Sequence, residues 1–353
     1  MENGRLLVYG AYGYTGELIV RAAAGQGLAP VVAGRNAARV EALAAELGLD
    51  ARPFDLDSGS VADHLDGVSV VLHCAGPFVA TAAPMVTACL ATGTHYLDIT
   101  GEIAVFDRVF SLSEAARAAG IVLCPGAGFD VVPTDCVAAR LSEELPGATR
   151  LALGWDMELN LSPGTARTTA TALGEGGKVR VDGAIETVPL AAEERTIDFG
   201  DGPKTAATIA WGDVSTAYHS TGIPNISVYA AASPQLIAQY RRLDRIRGLL
   251  RLTPVKALLV LLAGRSRGPD AEALATGRAW VWGEVRDDAG GTAVARLTLG
   301  NPYQFTVDSS LALARLLLGD PPAEGGAYTP SRLAGWRLVE DLPGCGPITV
   351  TTS

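Results

Sequence analysis

Lysine is almost missing from this chain: only Lys178, Lys204 and Lys256 occur among its 353 residues. No tyrosine has a lysine four residues later. That excludes the Tyr-xxx-Lys pair of short-chain reductases, in which a lysine one helical turn away lowers the tyrosine pKa. Cysteine is equally sparse. Cys74, Cys89, Cys124, Cys136 and Cys345 are scattered, with no CxxC pair, which excludes a disulfide framework and a zinc site and points to buried thiols in a reducing compartment. The four histidines (His64, His73, His95, His219) lack ligand spacing, so no metal is expected. Positive charge is also short. A formal net charge of -10 excludes general nucleic-acid binding, which needs a basic surface.

Long apolar runs are missing too. The stretch from Ala257 to Gly264 falls well below the roughly 20 residues that cross a bilayer. Near the N terminus, LLVY runs at once into a glycine turn, which does not read as a signal peptide. The expected location is the cytoplasm. What is present is a globular composition, 48% hydrophobic and 19% charged, in a chain long enough for two domains.

The first 130 residues alternate strand-like and helix-like stretches. Strands are expected over Leu6 to Tyr9, Val31 to Ala33, Arg52 to Phe54, Val68 to Leu72, Tyr96 to Ile99 and Ile121 to Leu123. Helices are expected over Thr15 to Ala24, Ala37 to Leu47, Pro84 to Ala91 and Val105 to Ala119. Short apolar, β-branched strands separated by helices mean an α/β, Rossmann-type, doubly wound parallel sheet. Pro133 to Leu145 reads as one more helix. Beyond it the chain becomes strand-rich, as in Leu151 to Leu159, Ala206 to Trp211, Ile226 to Ala231, Ala279 to Val285 and Thr292 to Leu299. The last two are joined by DDAGG, a hairpin signal. A second, smaller α+β domain with a largely antiparallel sheet is expected. The domains are 1–130, 131–302 for substrate binding or dimerisation, and a C-terminal segment 303–353.

GAYGYTG, Gly10 to Gly16, lies between the first strand and the first helix. Ligands of such sheets bind at the carboxyl ends of the strands. Gly10 can make the tight turn, Gly13 can admit a pyrophosphate, and Gly16 can let helix and strand pack closely. The helix N terminus then presents free N–H groups to phosphate. The second strand ends in AGRN, so Arg35 stands where an NAD site usually has an acid, and Arg39 follows one turn later. A guanidinium can fork onto a 2′-phosphate, which favours NADP over NAD; a plain surface arginine is the alternative. Asp55 can accept from the adenine amino group or cap the next turn.

GAYGYTG, AGRN, HCAGPF, GTHYLDITGE, GAGFDVVPTD, GDVSTAYHSTGIPN and TGRAWVWGEV, in that order, resemble the saccharopine dehydrogenase-like oxidoreductases, in particular the trans-acting enoyl reductase branch that serves polyketide synthases. The resemblance implies NADP(H) as cofactor and a C-terminal segment returning to the first domain. It places Tyr12, Tyr14 and Thr15 with the three glycines in the phosphate loop, Arg35 and Asn36 at the adenosine phosphate, and Ala75, Gly76 and Pro77 along the ribose and nicotinamide.

A hydride transfer also needs a positioned substrate and a proton donor. Asp98, Thr100, Glu102 and Asp130 follow the fifth and sixth strands; each can act as donor or merely cap a turn. DVSTAYHSTGIPN reads as a polar, Gly/Pro-bounded loop in which Tyr218 and His219 are the strongest proton donors; hydrogen bonding within the loop is the alternative. The catalytic candidates are therefore Tyr218, His219 and Asp130. Tyr303 is a further one. His73 reads as a satisfied core residue, His95 as structural and His64 as solvent-facing. Residues 236–267 carry eight cations against one acid. They read as a solvated face, as an anionic-membrane contact or as a dock for an acidic acyl carrier protein. The favoured function is reduction of an activated C=C or C=N bond on an apolar substrate, small or carrier-tethered. An NADP(H)-binding sensor or scaffold without turnover, or a lipid-associated binding protein, is the alternative.

Overall fold

A computed structural model describes residues 4–157, 173–263, 276–319, 321–322 and 324–353. The chain divides into two compact units: residues 1–132 with 303–335, and residues 133–302 with 336–353.

The first unit is built on six parallel strands: β1 Leu6–Tyr9, β2 Val31–Gly34, β3 Ala51–Pro53, β4 Val70–His73, β5 His95–Asp98 and β6 Val122–Cys124. The short strand Gly326–Ala327 adds a seventh beside β6, giving the spatial order Gly326–Ala327, β6, β5, β4, β1, β2, β3. Leu7, Val8, Val31, Val32, Val70 and Val71 are fully buried, as strands covered by helices on both faces must be. The helices are α1 Tyr14–Gly25, α2 Ala37–Leu47, α3 Phe78–Thr92, α4 Ile103–Ser111 and α5 Ser113–Ala119. The single helix expected over Val105 to Ala119 thus breaks at Leu112. α3 begins six residues earlier than expected and carries Pro84 in its interior.

The second unit starts with α6 Val132–Glu144 and folds around a mixed sheet of β7 Arg150–Met157, β8 Gly177–Val181, β9 Ala184–Val188, β10 Glu194–Asp198, β11 Pro203–Thr208, β12 Asn225–Ala231, β13 Ala279–Arg286, β14 Thr292–Leu299 and the C-terminal strand Thr349–Thr352. β7 runs parallel to β12; the other pairings are antiparallel. α6 packs flat on β13: a Cβ on Gly283 would meet Leu141 and Val137 at 2.7 Å. β7 ends at Met157, so residues 158–159 of the expected strand lie outside the described residues. The segment expected as 303–353 is shared. Its helix Pro302–Gly319 and Gly326–Ala327 belong with the first sheet, whereas Thr349–Thr352 pairs with β14 in the second.

DVSTAYHSTGIPN is not a loop. Asp213–Thr221 is an α-helix, ended by Gly222 at φ +74°. Ser220 and Thr221 donate their hydroxyls to the carbonyls of Thr216 and Ala217 one turn back, which satisfies polar side chains without breaking the helix. Val214 and Ala217 are fully buried.

Candidate functional site

β1 ends in Gly10 at φ +83°, a conformation glycine enters without a Cβ clash. The Gly10 and Ala11 amides donate to the Ala33 carbonyl at 3.0 and 3.1 Å, and the Gly13 amide donates to the Gly10 carbonyl at 2.9 Å. The turn is closed and leads directly into α1. A Cβ on Gly10 would lie 2.8 Å from the Ala75 amide, and one on Gly16 would run into the Gly10 carbonyl oxygen. Both glycines are required by backbone approach. At Gly13 the nearest atom to such a Cβ is the Gly10 carbonyl oxygen at 3.2 Å, so its outer side is open. No side chain caps α1, and the first-turn amides of a helix have no partner within it.

The turn after β2 is organised by Tyr12. Its hydroxyl accepts from the Asn36 amide at 3.3 Å, and its carbonyl accepts from Arg39 Nη2 at 3.1 Å. The Arg39 guanidinium lies 4.6 Å above the Tyr12 ring. The Asn36 side chain accepts from the Arg39 amide and caps α2, so it is already committed. Arg35 is exposed and has no hydrogen bond or ion pair among the described residues. Asp55 accepts from the Asp57 amide at 3.1 Å and so caps the turn after β3.

Beyond β4, Ala75, Gly76 and Pro77 lead into α3, with Gly76 and Pro77 exposed. The first amides of α3, on Phe78 and Val79, donate to the two carboxylate oxygens of Glu102 at 3.0 and 2.8 Å. Glu102 therefore caps α3 and not α4, the next helix in sequence. His73 is fully buried. Thr81 Oγ1 lies 2.6 Å from the Ala75 carbonyl, to which it donates, and 2.9 Å from His73 Nε2. With that hydroxyl proton in use, Nε2 must be the donor to Thr81. His73 Nδ1 is left without a partner, so the residue is half satisfied rather than fully so, and burial pushes its pKa down to about 3.

Asp98 is fully buried and structural. It accepts from the Thr100 and Gly126 amides at 3.0 and 2.8 Å and from the Tyr96 hydroxyl at 2.8 Å, tying the loops after β5 and β6 together. Burial raises its pKa to about 6 against those hydrogen bonds. Thr100 accepts from the Glu102 amide. Asp130 packs against Gly101, where a Cβ would meet its Oδ2 at 2.7 Å. Burial, followed by repulsion from Glu102, pushes the Asp130 carboxyl up to about 6. The loop that carries it is braced from Pro302–Gly319: Thr306 accepts from the Phe129 amide, and Ser309 donates to the Ala127 carbonyl. Tyr303, on the same helix, meets the Tyr14 ring edge-on at 5.1 Å.

The first unit thus gathers the Gly10–Gly16 loop, Arg35, Asn36, Asp55, Ala75–Pro77, Glu102 and Asp130 at the carboxyl ends of its strands. Tyr218 and His219 belong to the helix Asp213–Thr221 of the second unit. There the Arg180 guanidinium lies 4.2 Å over the Tyr218 ring and donates to the Val214 carbonyl at 2.7 Å. His95 is structural, its Nδ1 accepting from the Val122 amide at 2.9 Å. His64 stacks on Phe54 at 4.6 Å and is half-buried rather than solvent-facing. The role of Glu102 at α3 could not be read from sequence, because the cap comes from 24 residues away. The described residues contain no group of three His, Cys, Asp or Glu side chains placed to hold a metal.

Residues 6–124 match the model of the saccharopine dehydrogenase NADP binding domain. Over those residues the N-terminal unit is similar to that NADP binding domain. The chain is 33% identical over 139 residues to a trans-acting enoyl reductase of Mycobacterium leprae, covering 37% of this chain and 33% of that protein. It is 25% identical over 216 residues to the saccharopine dehydrogenase-like oxidoreductase of Mus musculus, covering 52% of this chain and 50% of the relative. The matched stretches thus span a third to a half of these relatives' lengths. The fold extends further. Saccharopine dehydrogenase (L-Glu forming) of Saccharomyces cerevisiae superposes with a TM-score of 0.66 over 99% of this chain and 100% of its own, at 15% identity. The glycine cradle, the uncapped α1 and the free Arg35 fit a dinucleotide carrying a 2′-phosphate.

Proposed function

We propose that this chain is an NADP(H)-dependent reductase of an activated C=C or C=N bond on an apolar substrate, small or tethered to an acyl carrier. The observation that carries the reading is the carboxyl edge of the first sheet. α1 offers uncapped amides to a pyrophosphate, Arg35 stands unpaired where a 2′-phosphate would lie, and an acidic group with a raised pKa sits beyond β6. Val79, 59% exposed at the start of α3, gives that edge an apolar surface. The partial likeness to a trans-acting enoyl reductase favours C=C over C=N.

When bound, the dinucleotide supplies the hydride. The chain's residues hold and orient. Gly10, Tyr12, Gly13, Tyr14, Thr15 and Gly16 receive the pyrophosphate, Arg35 and the Asn36 turn hold the 2′-phosphate, Asp55 meets the adenine, and Ala75, Gly76 and Pro77 line the nicotinamide ribose. Asp130, whose carboxyl burial pushes up to about 6, would donate the proton that completes the addition, to the carbon next to the activating group of a C=C bond or to the nitrogen of a C=N bond, and would be reprotonated from water. Tyr218 and His219 are the rival donors.

The test is NADPH and NADH oxidation with a panel of enoyl thioesters and imines. NADPH-dependent turnover of an enoyl thioester is expected. Tight NADPH binding with no turnover on any acceptor would replace the enzyme by an NADP(H)-binding sensor or scaffold.

A further inference from the structure

Seven large apolar side chains stand exposed among the described residues, and five of them fall within 26 residues: Leu236 (38%), Ile246 (45%), Leu249 (58%), Leu252 (51%) and Leu261 (64%). Leu236, Leu249 and Leu261 lie on three short consecutive helices, Pro234–Arg245, Arg247–Leu250 and Thr253–Ala263, and Ile246 and Leu252 at the two junctions between them. The first helix shows which way it faces. Ile237 is buried, and Tyr240 packs with it against Ala191 and Ala207. Arg241 donates to the Ala191 carbonyl at 3.0 Å and pairs with Glu194 at 3.1 Å. Asp244, the one acid of the segment, accepts from the Leu190 amide and pairs with Arg247 at 3.3 Å. The opposite side is left to Arg242 and Arg245, both exposed and with no carboxylate partner among the described residues.

We infer that this face binds an anionic lipid surface, with Ile246, Leu249 and Leu252 entering the headgroup layer and Arg242 and Arg245 meeting lipid phosphates. Leucines interleaved with outward arginines on short helices are the pattern of interfacial binding, in which apolar insertion and charge attraction act together and neither suffices alone. Charge complementarity is local. The chain as a whole is at -10, whereas this face presents Arg242 and Arg245, exposed and without a carboxylate partner among the described residues, so charge favours its approach to an anionic bilayer. A protein-docking face would be expected to centre on exposed aromatic anchors. Here the one aromatic residue, Tyr240, is turned into the core. No described helix is long and apolar enough to cross a membrane, which fits a segment lying on the surface. Arg265 and Arg267 lie outside the described residues and are not needed. The inference is independent of the reductase reading.

The test is cosedimentation of the full chain with vesicles of phosphatidylcholine alone and of phosphatidylcholine mixed with phosphatidylglycerol, with NADPH binding as the control for folding. Binding to the mixed vesicles only, weakened by salt, is expected. Replacing both Arg242→Gln and Arg245→Gln should lower the partition coefficient about 25-fold, since each cation near an anionic surface contributes about fivefold. Leu249→Ser with Leu252→Ser should abolish binding while leaving NADPH binding unchanged. Absence of binding to both vesicles, equal binding to both, or full binding by the two double variants would overturn the proposal. So would saturable binding of an acidic carrier protein by this face without vesicle binding, which would make it a protein dock.

Discussion

The two units treat their polar groups in opposite ways. At the carboxyl edge of the first sheet, the α1 amides and the Arg35 guanidinium are left open. In the helix Asp213–Thr221 of the second unit, several polar groups are bonded within the unit. Thr134 donates to Asp213 at 2.8 Å, Ser220 donates to Asp135, and Arg180 holds the Val214 and Gly183 carbonyls. Buried polar groups are normally satisfied within the protein, whereas exposed helix-start amides and an exposed guanidinium remain available to a phosphate. The match to an NADP binding domain falls on the first unit, over residues 6–124.

The strongest attack on this contrast is Gly16→Val. Its side chain must displace the Gly10 backbone, which costs about 1–3 kcal/mol of stability by overpacking and should abolish NADPH binding in titration calorimetry. Arg35→Asp comes next. Losing a charge-assisted contact and adding a repulsive one should reduce the NADPH-over-NADH preference about 100-fold; an unchanged ratio of dissociation constants would remove Arg35 from the site. Asp130→Asn should lower kcat about 100-fold if this carboxyl is the proton donor. The same variant has a stability signature with a definite sign. A carboxyl whose folded pKa is raised to about 6 stabilises the fold below its unfolded pKa, and that contribution is lost as pH rises through the folded value. Asp130→Asn should therefore melt higher than the wild type at pH 7, by up to about 2 kcal/mol, with the gap closing towards pH 4. Glu102→Ala should cost about 1 kcal/mol through loss of the α3 cap, read as a lower denaturation midpoint. Tyr218→Phe should have the smallest effect, leaving kcat within about twofold. A 100-fold loss there would reverse the comparison and move proton delivery to the second unit.

Much of the first unit is legible in the sequence because its signals are local. Gly13 and Gly16 are imposed by the Gly10 carbonyl within six residues, and buried β-branched runs name their strands; Gly10 is also hemmed in by Ala75 from the distant turn after β4. Asp98 and Glu102 are harder. Each stands in a motif that reads as a cap or as a catalytic acid, and the choice depends on partners 24 to 28 residues away. The second unit hides more. Ser215, Thr216, Ser220 and Thr221 look like loop residues until the helix that satisfies them is seen. The turn at Asp182 and Gly183, with φ of 48° and 82°, carries an Asp-Gly hairpin signal that identifies β8 and β9, although their alternation is weak. The basic stretch was visible as a charge run, but only the burial of Ile237 and Tyr240 separates its inward face from its outward one.

The cap on α3 has a consequence for anion binding. α1 and α3 both begin at the carboxyl edge of the first sheet, and an anion is drawn to the positive end of either. At α3 that end is already neutralised by Glu102, whose two oxygens occupy the Phe78 and Val79 amides; a second negative charge there would be repelled. The two helix ends therefore differ in what they attract: an anion is favoured at α1, where no side chain caps the helix, and disfavoured at α3, which already holds a carboxylate.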